Sequence, residues 1–181
     1  MTDRNVALET LLEAVRLKAL RRAGWVRVGA LDPESVADHS WGVAWLVLAL
    51  LPAQMNRERA LAYAVLHDLP EVRVGDITPV DGVSKAEKSR REHDAMIALS
   101  SGLRDPELLR LWEAYEAQAD PESRFVRQLD RLDMALQALA QHEQGVAGMQ
   151  EFVESADAFI TDPTLRGWMD AVMTRFRRSA R

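Results

Sequence analysis

An all-α fold is what this sequence predicts, and three observations predict it. Apolar residues recur at spacings of three and four through most of its 181 residues. Alternating or β-branched runs that would mark strands are nearly absent. Glycine, proline and capping residues interrupt the periodic stretches where helices must stop and start. Hydrophobic residues make up 48% and charged ones 28%, the ordinary composition of a globular chain, and the length suffices for one real core. A single domain over 1–181 is therefore expected.

The elements follow in order. Leu8, Leu11, Leu12, Val15 and Ala19 form one stripe of an amphipathic first helix, with Leu17 and Leu20 beside it. The stretch RRAGWVRVGALDPES carries two glycines and a proline and reads as a loop. Pro33-Glu34-Ser35 then looks like a helix start, capped by Ser35 or Asp32. The helix it opens, VADHSWGVAWLVLALL, is apolar on nearly all sides and is expected at the centre of the core.

NRERALAYAVLHDL predicts a third helix that Pro70 ends or bends. GDITPVDGVSK reads as a structured loop. KAEKSRREHDAMIALSSGL is a charged helix, and DPELLRLWEAYEAQAD one with a Leu/Trp/Tyr face. DPESRFVRQLDRLDMALQALAQHEQG is a long helix closed by Gly145, with Phe125, Leu129, Leu132 and Leu136 as its main apolar stripe. MQEFVESADAFI and PTLRGWMDAVMTRFRRSAR give two more. The basic end RFRRSAR reads as solvated and frayed.

Composition narrows the function. A net charge of −5 does not suit binding to nucleic-acid polymers or anionic membranes. With no cysteine, disulfides, thiolate nucleophiles and thiolate metal ligands are excluded. The N-terminal MTDRNVALETLLEAV has no apolar core of a secretory signal, and the apolar run from Val43 to Leu51 is too short to span a bilayer. A cytoplasmic protein is expected.

The chemistry concentrates in AVLHDLPE, where His67, Asp68 and Glu71 follow an apolar helix. At about 100° per residue, His67 lies about 40° from Glu71, and Asp68 about 60° on the other side. All three can face one pocket where core meets loop. A carboxylate there is costly unless it is paired or binds a cation, and beside a neutral imidazole it suits a divalent metal. His39 lies in the first turns of the central apolar helix, and Asp130 borders the apolar stripe of the long helix, one turn from Val126 and Met134. Each is a weak signal alone. In order they read His39, then His67-Asp68, then Asp130, each on a helix beside a buried face.

That order resembles the H…HD…D signature of the HD-domain metal-dependent phosphohydrolases. GWVRVGALDPESVADHS, LHDLPEVRVGDITPVDG, KAEKSRREHDAM and LWEAYEAQADPESRFVRQLDRLDMALQA are similar to the 5′-deoxynucleotidase branch, that of human HD-domain-containing protein 2. The resemblance runs from about Leu11 to about Gly145; the motif-bearing core is expected over about 8–145, with C-terminal helices over 146–181.

The resemblance implies a helical HD-domain fold and a set of roles. His39, His67, Asp68 and Asp130 stand at the metal-ligand positions. Glu71 stands where the family has the acid that positions or activates the attacking water. Asp76 matches an aspartate that contacts the deoxyribose, and Trp25 an aromatic of the substrate pocket. The arginine that partners it in the bacterial branch directly precedes the tryptophan, where this sequence has Gly24; the R-x-G-W pattern of eukaryotic-like members makes Arg22 the candidate, and it or another cation would grip the phosphate. Asp133 is expected behind the ligands or at the surface.

One divalent ion is implied, and mixed nitrogen and oxygen ligation suits Mn²⁺, Co²⁺, Fe²⁺, Ni²⁺ or Zn²⁺. The implied substrate is a deoxynucleoside 5′-monophosphate, and a homodimer is expected. Other HD reactions, triphosphohydrolysis or cyclic-nucleotide cleavage, and a non-catalytic nucleotide-binding scaffold are the alternatives. His93 is expected to be solvated and His142 to lie at the surface. Trp41, Trp45, Trp112 and Trp168 are expected in the core or an interface.

Overall fold

A computed structural model describes residues 3–179. Ten α-helices succeed one another: α1 Asp3–Val15, α2 Ala23–Arg27, α3 Val36–Leu50, α4 Arg57–Leu66, α5 Glu71–Val74, α6 Lys85–Leu103, α7 Pro106–Glu116, α8 Pro121–Glu143, α9 Gln150–Phe159 and α10 Pro163–Ser179. Among the described residues there is no strand, only one isolated bridge between Arg21 and Ser35.

Local chemistry sets the boundaries. Ser35 caps α3, accepting from the Asp38 amide while the Asp38 carboxylate accepts from the Ser35 amide. The side chains of Asn56, Ser84, Asp105 and Asp120 accept backbone amides at the starts of α4, α6, α7 and α8, reciprocally only at Asp120, and proline opens α7 and α8.

The core is built around α3 and α8. Val43 and Val47 of α3 and Phe125, Val126, Leu129 and Leu132 of α8 are buried together with Tyr63 of α4. Val153 and Ala156 of α9 and Leu165, Met169 and Val172 of α10 join the same cluster. A smaller cluster of Met96, Leu99 and Trp112 lies between α6 and α7.

Five expectations from the sequence are corrected here. In α1 the leucines of the predicted stripe point outward: Leu8, Leu11, Leu12 and Val15 are all half-exposed. The face toward α6 is the small one around Thr10, whose hydroxyl fills the space beside Gly102. α3 is not buried all round, because Trp41, Trp45 and Leu48 make an exposed stripe at i, i+4 and i+7. The RRAGWVRVGALDPES segment is not wholly loop, since Ala23–Arg27 forms a helical turn.

His67, Asp68 and Glu71 do not share one helix either. α4 stops at Leu66, His67 is its C-cap, and Pro70 precedes the first residue of the short α5. Finally, the basic end is not frayed through Ser179. α10 continues to that residue, Phe176 is buried and Arg175 pairs with Glu143. Ala180 and Arg181 lie outside the described residues. No described helix is long and apolar enough to cross a membrane.

Candidate metal centre and substrate cavity

The crossing of α3, the α4–α5 turn and α8 gathers three side chains around His39 Nε2. His39 Nε2 lies 3.3 Å from His67 Nε2, 3.2 Å from Asp130 Oδ1 and 3.7 Å from Asp68 Oδ2. His67 Nε2 lies 3.2 Å from Asp68 Oδ2. Ligands held ~2.1 Å from one ion stand roughly 3.0–3.4 Å apart along a tetrahedral or octahedral edge. The donor spacing of His39, His67 and Asp68 therefore fits a single cation, and Asp130 reaches His39 from α8 beside them.

Hydrogen bonding on the far side of each ring supports the same reading. His39 Nδ1 lies 2.8 Å from Asp133 Oδ2, and His67 Nδ1 2.9 Å from the Ala64 carbonyl. Both partners are acceptors, so each Nδ1 donates and each Nε2 turns toward the other donors. Burial and Arg22 oppose charging of His39, yet the hydrogen bonds to Asp130 and Asp133 push it up to about 9. Despite burial, His67, Arg22 and His39 hold Asp68 well below the usual carboxylate range, and His39 and Arg131 do the same for Asp130. The cluster is thus rich in acceptors and selects for positive charge, which a divalent ion supplies more fully than a proton.

Gly42 makes room for this arrangement. A Cβ there would meet Asp133 Oδ1 at 2.2 Å, so any side chain would push the aspartate off His39. Asp133 is thus not a surface residue: it stands behind the imidazole.

A cavity of about 840 Å³ opens from the cluster. Glu71 lines it, almost fully buried, and its Oε2 has no hydrogen-bond partner among the described residues. Burial, then Asp68 and Asp76, push its carboxyl well above the usual range. Lys88 Nζ stands 3.9 Å from Glu71 Oε1 and 3.5 Å from Glu92 Oε1. Arg22 Nη1 lies 3.3 Å from Asp68 Oδ2. Asp76 Oδ2 accepts from the Ala23 amide at 2.7 Å, tying the loop after α5 to the segment that carries Arg22 and Trp25. Trp25 is buried, donates Nε1 to Glu34 at 2.9 Å and packs on Phe152 with ring centroids 4.4 Å apart. Arg127, Arg131, Tyr115 and Phe159 complete the walls.

All eight residues singled out in the sequence therefore come together, with His39 fully buried at the base and the rest around the cavity. Lys88, Tyr115 and the α9 aromatics were not anticipated. Lys88 and Glu92 look like one more pair on a solvated helix. The signal was their place on the same face of α6 as Ala95, Met96 and Leu99, which are buried.

The bland expectations divide. Trp112 is buried, while Trp41, Trp45 and Trp168 are exposed. His93 pairs with Glu113 at 2.9 Å and is partly covered. His142 is not simply a surface residue, because its ring stacks on Phe176 at 4.1 Å and its Nε2 is buried with no partner among the described residues.

Comparison with known proteins adds three findings. The HD domain family matches residues 14–165. The chain is 42% identical to the 5′-deoxynucleotidase HDDC2 of Danio rerio over 87% of its own length and 81% of that protein. It is 35% identical to the 5′-deoxynucleotidase hdd1 of Schizosaccharomyces pombe, covering 87% and 84%. Among solved structures, the PH0347 protein of Pyrococcus horikoshii superposes with a TM-score of 0.78 at 31% identity, covering 93% and 99%.

Proposed function

The chain belongs to the HD domain family, and on that premise we propose that it removes the 5′-phosphate from deoxyribonucleoside 5′-monophosphates with the help of one divalent metal ion. The observation that carries the reading is the cluster of His39, His67 and Asp68 donor atoms at 3.2–3.7 Å, with Asp130 Oδ1 3.2 Å from His39 Nε2. It is supported by relatives named 5′-deoxynucleotidase.

Phosphate monoesters are among the slowest of biological substrates to hydrolyse unaided. A divalent ion held by these four residues would supply a water of lowered pKa and offset the phosphate charge. Glu71 faces the same space from the α5 N-terminus and orients the attacking water or accepts its proton. Lys88 holds Glu71 in place from the other side. Arg22 reaches the phosphate, with Asp68 fixing its position meanwhile. Asp76 uses one oxygen on the Ala23 amide and offers the other to the sugar 3′-hydroxyl, where a ribose 2′-hydroxyl would crowd it. Trp25 forms the adjoining wall. The test is hydrolysis of paired deoxy- and ribonucleoside monophosphates by metal-stripped protein with single divalent ions restored. The reading expects release of phosphate only with metal and preferentially from the deoxy series. Equal turnover of dAMP and AMP would remove the sugar-selection part, and no turnover with any ion would remove the whole.

The assembly belongs to the same proposal. Trp41, Trp45 and Leu48 on α3 are a contiguous apolar stripe, and Leu8, Leu11, Leu12 and Val15 form another on α1. A second copy of the chain covering one of them makes the homodimer. The cytoplasmic setting read from the cysteine-free sequence is part of this reading as well.

A further inference from the structure

Tyr115, at the end of α7, is 1% exposed and lines the same cavity. Its ring lies 5.6 Å from that of His67 and 6.0 Å from that of Tyr63, with the Arg127 guanidinium 5.4 Å from its centroid. The hydroxyl is buried and its O–H finds no acceptor among the described residues; the nearby Arg127 guanidinium can only donate to its oxygen.

A buried O–H with no acceptor is a net cost to the folded protein, and phenylalanine would pack the same ring without it. The donor therefore awaits an acceptor from outside the chain. The neighbouring groups say which kind. His67 beside the ring puts it at the metal end of the cavity and not at the aromatic end by Phe152. Arg127 adds positive charge on the same side. An anionic oxygen is the acceptor such a pair would take.

We propose that the Tyr115 hydroxyl is a catalytic hydrogen-bond donor to a phosphoryl oxygen of the substrate. The inference rests on the phosphohydrolase reading above. No bond at Tyr115 is made or broken: the phenol keeps its proton and steadies charge on the phosphoryl oxygens during attack.

The test is Tyr115→Phe in the full chain, reconstituted with metal. Four quantities are compared with the parent: kcat for dAMP, the inhibition constants of inorganic phosphate and of deoxyadenosine, and the melting temperature. The proposal expects kcat to fall roughly 10- to 100-fold and phosphate to bind about tenfold more weakly. Deoxyadenosine affinity should stay within about twofold and the melting temperature should not fall, because the O–H has no acceptor to lose in the free protein. Unchanged kcat and phosphate affinity would overturn it. So would a lower melting temperature with phosphate and deoxyadenosine weakened equally, the pattern of a packing residue. If the parent hydrolyses no nucleotide, the hydrolase reading falls by itself, and phosphate affinity still decides whether Tyr115 is an anion donor.

Discussion

Asp133 Oδ2 stands 2.8 Å from His39 Nδ1, on the opposite edge of the imidazole from Asp130, whose Oδ1 is 3.2 Å from Nε2. One carboxylate fixes the ring so that its other nitrogen faces the ion. Such outer partners are typically worth about 10- to 100-fold in metal affinity. Asp133→Ala should weaken metal binding by that amount in a competitive chelator titration. Gly42→Ala should act in the same direction, since its Cβ would occupy the place of Asp133 Oδ1. Unaltered affinity in both would separate Asp133 from the metal centre.

Glu71→Gln is expected to separate binding from chemistry. It keeps the shape and loses the base, so metal content should match the parent while turnover falls about 10²–10⁴-fold. Because Glu71 works deprotonated, parent activity should fall as pH drops low enough to protonate its carboxyl. The glutamine variant should lack this acid limb. A variant that hydrolyses at the parent rate would assign the water to another group.

Glu92 makes a prediction about stability. Burial, opposed by Lys88, raises its carboxyl up to about 7 from 4.5. The folded state therefore holds this proton more tightly than the unfolded chain. The corresponding stability is fully present below about pH 4.5 and is lost as pH rises through about 7. Glu92→Gln should flatten the dependence of melting temperature on pH across that window. Parallel profiles for parent and variant would show that Glu92 does not titrate there.

The residues that carried the sequence reading succeeded for a physical reason. His39, Asp68 and Asp130 each place a polar group beside an apolar face, which costs free energy unless something compensates. Pattern alone detects that conflict. The helical wheel through His67 and Glu71 reached the right pocket by the wrong route, because Pro70 breaks the helix and the turn re-aims Asp68. Asp133 was underweighted because its value depends on Gly42, ninety-one positions earlier in the chain. Tyr115 could not be separated from an ordinary core aromatic, since only the three-dimensional structure shows that its hydroxyl lacks an acceptor among the described residues. The α1 leucines misled in the other direction: periodicity identifies an apolar face and says nothing about whether the same chain covers it.

That uncovered surface gives the assembly prediction. Trp41 is 70% and Trp45 55% exposed on adjacent turns of α3, an arrangement typical of interface anchors. Light scattering should report a dimer for the parent and a shift toward monomer for Trp41→Glu/Trp45→Glu. If the variant stays dimeric, the α1 leucine stripe becomes the interface to test. A monomeric parent would contradict the homodimer.

The metal centre itself is tested most directly by equilibrium dialysis of metal-stripped protein against Mn²⁺, comparing the parent with Asp130→Ala. If His39, His67, Asp68 and Asp130 hold one ion, the tightest site binds one Mn²⁺ per chain. Loss of Asp130 should then weaken it by about a hundredfold or more, at least as much as loss of an outer partner. Equal affinity in the two proteins would contradict the account.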